Sequence, residues 1–301
     1  MRNNISILGN GFLGQNLFLF LNANHHVKQT SMRNYGWKEE LNDSDVIINL
    51  IGKAHDHRGE ATERDFYYAN EELVKEIYQV FISTKTKLLI HISSIASLEE
   101  EGSLKELSET DEVNPKSFYG KSKRAAEVFL LSQELPEGKK IIILRPPMVH
   151  GPGDKGTLTM LFKVVKYRIP WPLSRFKNKR SFLSIDNFTY IIAKIIEERE
   201  NLKTDIYHIC DDQSLETNEI ISLMRKISNR PSFNIYVPKF IVIWIAKFGD
   251  IVKLPLNTKR LNKMTFSLVV SNQKIKNVLG IENLPVSADE GLQKTIQSFV
   301  K

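Results

Sequence analysis

The chain has 301 residues, 42% apolar and 26% charged, an ordinary balance for a globular protein with ample core. A single cysteine, Cys210, excludes an internal disulfide framework and fits a reducing compartment, and no apolar run reaches the ~18 residues of a membrane span. The net charge of +7 favours an anionic partner, whether a phosphate-bearing small molecule, nucleic acid or a membrane surface, without choosing among them.

The opening residues enter a strand pattern almost at once and lack a signal-peptide layout, so a cytoplasmic chain is expected. Ile5-Ser6-Ile7-Leu8 reads as a short buried strand. Gly9-Asn10-Gly11-Phe12-Leu13-Gly14 follows, and then Phe12, Leu13, Leu17, Phe20 and Leu21 recur at helical spacing. Strand, glycine turn and helix are the context that gives G-x-G-x-x-G its meaning. Gly9 permits the tight turn, Gly11 lets backbone approach a pyrophosphate, and Gly14 lets helix pack on strand. The free amides and dipole of the helix start suit the phosphates. An ordinary strand-to-helix turn could use the same residues, so this signal needs company.

The second strand is expected over 26–30, ending in Thr30-Ser31-Met32-Arg33-Asn34. An NAD site places Asp or Glu there for the ribose 2′-hydroxyl, whereas an arginine accommodates a 2′-phosphate. Ser31 and Arg33 therefore favour NADP(H), with NAD(H) as the alternative if Arg33 is a solvent-facing loop residue. Near-continuous apolar runs at 45–51, 88–92 and 141–144 match parallel strands covered on both faces. A helical pattern spans 65–81, and strands alternating with helices give a doubly wound sheet. His55 and His57, without a further ligand cluster, read as loop residues over cofactor or substrate rather than as a metal site.

The fourth apolar run ends in Ser93-Ser94, leaving hydroxyls at the carboxyl edge of the sheet, where open α/β sheets bind ligands. After a polar, acidic loop comes Ser117-Phe118-Tyr119-Gly120-Lys121-Ser122-Lys123, heading a helix expected over 122–131. Positions i and i+4 share a helix face, so the Lys123 ammonium can sit beneath the Tyr119 hydroxyl. A phenol, with an ordinary pKa of about 10, is a poor proton donor near neutrality, and a neighbouring positive charge is expected to pull it down. A Tyr-x-x-x-Lys on a solvated helix would look the same in isolation.

Further on, helices are expected over 157–166 and 186–197 and from Thr217, where Glu216 and Glu219 suit a first turn. A stiff turn is expected at 168–173, and 205–209 should return to the main sheet. Strands of a small lobe are expected at 233–237 and 267–270. The greasiest stretch, 240–246, reads as a buried or docking helix. Asp211-Asp212, after a strand, reads as a loop or cap rather than a metal pair. The architecture is therefore α/β: a Rossmann-type doubly wound parallel sheet with a smaller carboxyl-terminal α/β substrate lobe. Residues 1–155 would form the NAD(P)-binding domain, rejoined by a strand and helix from 181–210, and 156–301 mainly the substrate-binding lobe.

Taken together, GNGFLG (9–14), NLIGKAH (49–55), Asn70, ISSIAS (92–97), YGKSK (119–123), LRPPMVHGPG (144–153), NKRSFLSIDN (178–187) and LVVSNQKIKNVLG (268–280) resemble the extended short-chain dehydrogenase/reductases that act on nucleotide sugars. RPPMVHGPGDKG looks most like the bacterial epimerases and reductases of surface-polysaccharide sugar synthesis. The resemblance implies that Tyr119 is the acid–base, that Lys123 is its partner and a ligand of the nicotinamide ribose, and that Ser94 bonds the reacting sugar oxygen. It also implies cofactor contacts from Gly9, Gly11, Phe12, Leu13, Gly14, Ser31, Arg33, Ile51, Gly52, Lys53 and Pro146, with Asn70 holding the nearby backbone. His55, Met148, Lys155 and Arg180 would meet the sugar nucleotide. Arg175, Lys177, Lys179 and Arg180 form a basic cluster suited to a diphosphate, and no nucleic-acid-binding motif surrounds them.

The chain also departs from the family pattern. Its glycine loop is one residue shorter between the first two glycines, 33–45 leaves little room for a full third strand, and His150 replaces the common tyrosine of V-Y-G-P. Ile95-Ala96 stands where 4,6-dehydratases carry Asp-Glu, which disfavours dehydration. The expected activity is reduction of the 4-keto group of a UDP-linked 6-deoxy-N-acetylhexosamine. One alternative is a UDP-sugar 4-epimerase with tightly held NAD, and another is a non-catalytic NADP-binding regulatory or structural protein. Intact Ser94, Tyr119 and Lys123 speak against the last, since a pure binder needs no proton donor. The resemblance also implies a homodimer paired through helices near 65–82 and 117–132.

Overall fold

The structure is a computed structural model and describes residues 2–54, 60–154, 156–252 and 257–300. Its centre is a parallel six-stranded sheet, as expected, built from β1 (Asn4–Leu8), β2 (His26–Thr30), β3 (Val46–Asn49), β4 (Leu88–Ile92), β5 (Lys140–Arg145) and, after three short strands described below, β9 (Asp205–His208). The order β2-β1-β3-β4-β5-β9 makes β2 and β9 the edges. The 33–45 stretch holds only a 3₁₀ turn, Glu39–Leu41, and no strand, as its shortness led one to expect.

Successive residues of a strand point to opposite faces, and the buried strand residues sort that way. Ile142 and Leu144 face one layer with Leu17, Phe188, Ile192 and Ile195, contributed by α1 (Phe12–Leu21) and, later in the chain, α6 (Ile185–Glu197). Ile141 and Ile143 face the other with Val74, Ile77, Phe81, Ala126 and Leu130. That second layer is a run formed by α2 (Glu63–Tyr67), a π turn (Tyr68–Glu72) and α3 (Leu73–Ser83), together with α4 (Phe118–Leu131). Both faces covered by helices is what the unbroken apolar runs require.

The rest of the chain is mostly helical: α5 (Thr157–Lys166), α7 (Thr217–Ser228), α8 (Lys239–Val252), α9 (Thr258–Thr265), α10 (Gln273–Leu279) and α11 (Ala288–Val300). Leu158, Phe162, Ile220, Met224, Val242, Ala246, Leu292 and Ile296 form its own apolar cluster. The remaining strands are short. β6 (Met148–His150) pairs with β8 (Phe182–Ser184), and β7 (Lys179–Arg180) pairs with β10 (Leu215–Glu216).

Three expectations are corrected. Residues 233–237 form no strand, only a bridge between Asn234 and Trp171. Pro231 and Pro238 bracket the segment, and proline has no N–H for a ladder. Residues 267–270 likewise form two single bridges, Leu268 to Arg180 and Val270 to Leu107, because the segment threads between two different elements. The tyrosine helix begins at Phe118 rather than 122, since Ser117 accepts the Gly120 N–H and caps it four positions earlier.

Candidate active site

The tyrosine is set by contacts on both sides of its helix start. Glu100 accepts the backbone N–H groups of Lys116 and Ser117 at 2.8 and 2.7 Å, and the Ser117 hydroxyl at 2.7 Å. A Cβ at Gly120 would lie 2.4 Å from the Ala96 carbonyl oxygen, so only glycine lets the 3₁₀ turn Ile95–Ser97 press against α4. That approach brings the Ser94 hydroxyl beside the Tyr119 phenol.

Lys123 occupies the face expected of it but does not point where expected. Its Nζ donates to the Ile92 carbonyl oxygen at 2.9 Å, at the end of β4. Burial raises Tyr119 above the ordinary phenol value, the neighbouring Ser94 hydroxyl opposes that, and the Glu100 charge adds to the rise. The sequence argument for a lowered phenol pKa is thus corrected: desolvation outweighs a lysine turned toward a carbonyl. Burial in turn lowers Lys123 to about 8, against the opposing charge of Glu127.

Asn70 ties the loop after β3 to α4. Its Oδ1 accepts the Lys53 N–H at 2.8 Å, while its Nδ2 donates to the Lys53 carbonyl at 3.1 Å and to Ser122 Oγ at 2.9 Å. A Cβ at Gly52 would sit 2.8 Å from Lys123 Nζ, so this loop closes directly over the lysine. Ile51 donates its N–H to Asn49 Oδ1 at 3.0 Å. Pro146, after β5, accepts the Ile95 N–H at 2.9 Å and so joins the serine turn to the next strand end.

The glycine turn has the form anticipated. Gly9 has φ +117°, and a Cβ at Gly14 would fall 2.0 Å from the Gly9 carbonyl oxygen. Gly11 caps α1 with no side-chain hydrogen bond, and no acid stands in the first turn that Phe12, Leu13 and Gly14 begin. A Cβ at Gly11 would meet nothing within 4 Å. Uncapped amides at a helix start, approached by bare backbone, fit a dinucleotide pyrophosphate. Ser31 and Arg33 are exposed beyond β2, and Ser31 Oγ accepts the Arg33 N–H at 3.4 Å. The fold adds a carboxylate that no local reading placed there: Glu40 accepts the Thr30 hydroxyl at 3.0 Å and pairs with Lys28 at 3.3 Å.

Of the expected sugar-nucleotide residues, His55 and Lys155 lie outside the described residues, as does His57. Met148 is half-buried in β6, and half-buried Arg180 in β7 is held below the ordinary arginine range by burial. Lys177 and Lys179 line an open cleft of about 490 Å³ with Lys105, Glu106, Glu216 and Ser267. Arg180 and the catalytic candidates are not on that lining, so the cleft is not the pocket of the Ser94–Tyr119–Lys123 group. Among the described residues no cluster of His, Cys, Asp or Glu could hold a metal ion. Asp211 instead accepts the Ser184 N–H and Asn187 Nδ2, and Asp212 pairs with Lys276.

One buried polar cluster beside the site escaped the sequence reading. Glu127 receives Arg145 through two bonds of 2.8 and 2.7 Å, and the hydroxyls of Ser93 and Ser97 at 2.6 Å each. Burial, the largest influence, pushes Glu127 up, but Arg145 and the two serines outweigh it and hold the carboxyl below its ordinary value. The signal was present, since Tyr119, Lys123 and Glu127 stand at i, i+4 and i+8 on one helix face. Ser94 lies between the two serines that Glu127 holds.

A parallel sheet opened by a glycine turn, with helices on both faces, defines a Rossmann-type architecture of the kind that binds dinucleotides. The chain belongs to the NAD dependent epimerase/dehydratase family, whose model matches residues 5–210. A UDP-glucose 4-epimerase of Vibrio cholerae is 28% identical over 267 residues, covering 87% of this chain and 78% of that protein. Among solved structures, a UDP-glucuronic acid 4-epimerase of Bacillus cereus in complex with NAD has a TM-score of 0.74 at 18% identity, covering 98% of each chain. A protein of Pseudomonas aeruginosa designated RMD, complexed with NADPH, has a TM-score of 0.74 at 16% identity over 99% of each chain. At these identities the two structures speak for the fold.

Proposed function

We propose that this chain is a nucleotide-sugar oxidoreductase that reduces the 4-keto group of a UDP-linked 6-deoxy-N-acetylhexosamine with NADP(H). The observation that carries the reading is the juxtaposition of Ser94 and Tyr119 at the carboxyl end of β4, with Lys123 one helix turn further on. When bound, the nicotinamide supplies the hydride. Tyr119 Oη gives its proton to the carbonyl oxygen as that oxygen gains negative charge, and the Ser94 hydroxyl donates a hydrogen bond to the same oxygen. Lys123, beneath the Gly52–Lys53 loop, holds the nicotinamide ribose, and Gly9 to Gly14 take the pyrophosphate. Residues 1–155 with the returning 181–210 act as the cofactor half, and the remainder of 156–301 as the sugar-nucleotide half, with Met148 and Arg180 on the substrate side.

A second reading, 4-epimerisation with retained NAD, draws support from the Vibrio relative and from Glu40, which brings a carboxylate to the end of β2. The deciding experiment incubates the purified chain with NADPH and a UDP-linked 4-keto-6-deoxy-N-acetylhexosamine, and separately with UDP-glucose and no added cofactor. Oxidation of NADPH with formation of the 4-hydroxy sugar supports reduction. Interconversion of UDP-glucose and UDP-galactose by protein that retains NAD overturns it in favour of the epimerase.

A further inference from the structure

Helix α8 is built inside out. Its buried positions are the smaller residues Val242, Ala246 and Gly249, spaced four and three apart, of which Val242 and Ala246 dock on the helical cluster. Its large residues face outward: Phe240 is 67% exposed, Trp244 76% and Ile251 79%, with Phe248 and Ile245 about half exposed. Of the 24 exposed large apolar side chains among the described residues, eight lie on this one helix, so the exposure is concentrated rather than scattered. The patch extends into the segment before the helix, where Phe233 and Tyr236 are exposed. That segment is fastened to the chain after α5 by Trp171 N–H to the Phe233 carbonyl at 3.0 Å and Arg230 to the Lys166 carbonyl at 3.1 Å. Tyr167 and Ile169 are exposed on that neighbouring stretch.

The stretch of sequence that carries this helix has charge of one sign. Between Lys226 and Met264 the sequence carries eight basic residues and one acid, Asp250. Asp250 is occupied in holding α9, accepting the Thr258 N–H at 3.0 Å and its hydroxyl at 2.5 Å. Lys239 and Lys247 are exposed on α8 itself.

We infer that this face seats the protein on the surface of an anionic phospholipid bilayer. At 1.5 Å per residue the 14-residue helix is about 21 Å long, short of the ~30 Å hydrocarbon core, so it lies in the interface rather than across it. Aromatic and aliphatic side chains entering the headgroup boundary, with lysines among them, are the composition of an interfacial helix, and Trp244 is the residue type that prefers that depth. A second copy of the chain fits less well. A two-fold contact would lay this basic face on itself and bring like charges together. Nucleic acid would meet a face whose prominent side chains are apolar. The inference stands apart from the proposed reaction, since it uses no residue of the Ser94–Tyr119–Lys123 group.

The test is flotation of the full chain with vesicles of phosphatidylcholine alone and of phosphatidylcholine with phosphatidylglycerol. Wild type should float with the anionic vesicles at least tenfold more than with the neutral ones, and less as salt is raised. The triple variant Phe240→Ser, Trp244→Ser, Ile251→Ser should lose that binding at least tenfold with an unchanged thermal transition, because all three side chains already face outward. Lys239→Glu with Lys247→Glu should abolish the preference for anionic vesicles. No flotation of wild type at low salt, or equal flotation of the triple variant, overturns the proposal. So does a dimer by light scattering that the triple variant converts to monomer, which would assign the face to a second copy.

Discussion

Arg145, at the end of β5, and Glu127, on α4, meet in a two-pronged ion pair with 1% and 0% of their side chains exposed. Glu127 also takes the hydroxyls on either side of Ser94, so the pair fixes the serine turn as well as the helix carrying Tyr119. Removing Glu127 leaves the buried Arg145 charge without its partner. Glu127→Ala should cost about 3–5 kcal/mol in urea unfolding. The folded-state pKa of Glu127 lies below its ordinary value. Its stabilisation is therefore complete above the unfolded pKa and lost as pH falls through the depressed one. Glu127→Gln should flatten that acid limb; a wild-type acid limb unchanged in the variant would remove Glu127 from the account.

Tyr119→Phe removes the acidic hydroxyl and leaves the ring. Turnover should fall by roughly 10²–10⁴ while cofactor binding changes little. Near-normal turnover in a steady-state assay would take the proton donor away from Tyr119.

Lys123 has a folded pKa of about 8 against an ordinary 10.5. Between those values the unfolded chain holds the proton and the folded chain does not, so stability rises with pH across that window. Below pH 8 the buried charge costs on the order of 3 kcal/mol, at 1.36 kcal/mol per pKa unit. Lys123→Met should therefore melt higher than wild type at pH 7, with the gap closing toward pH 10. Calorimetry showing a lower melting temperature at pH 7 would mean that the bond to Ile92 outweighs the burial.

Gly120→Ala places a methyl group 2.4 Å from a backbone oxygen that has no flexible end to yield. The turn carrying Ser94 must shift, so turnover should drop at least tenfold and the melting temperature should fall; unchanged values for both would mean that the helix start and the serine turn are not rigidly coupled.

Cofactor preference turns on the end of β2. A charge-assisted bond from Arg33 to a 2′-phosphate, at roughly 1.5–3 kcal/mol, gives about 10–100-fold preference for NADPH over NADH. Arg33→Ala should erase most of it, and Ser31→Asp should reverse it. Glu40→Gln, which removes the nearby carboxylate, should increase it. Titration of both reduced cofactors decides: equal wild-type affinities would favour the retained-NAD epimerase.

The six strands of the central sheet, the glycine turn and the order of serine, tyrosine and lysine were legible from residue order. Each depends on local facts: the unbroken apolar run of Ile141 to Leu144, the conformations open to Gly9, and the one-turn spacing from Tyr119 to Lys123. What was not legible depends on contacts between distant residues. The direction of the Lys123 ammonium was set by the Ile92 carbonyl, 31 residues earlier in the chain. The carboxylate at the end of β2 came from Glu40 on a 3₁₀ turn, and the 267–270 segment lost its strand by being shared between Arg180 and Leu107. Helix α8 makes the same point. Its composition reads as a buried or docking helix without choosing between them, and only Val242, Ala246 and Gly249 are covered, because the neighbouring helices pack against one side of it alone. Periodicity states which residues share a face, but which face is covered depends on what the rest of the chain brings against it.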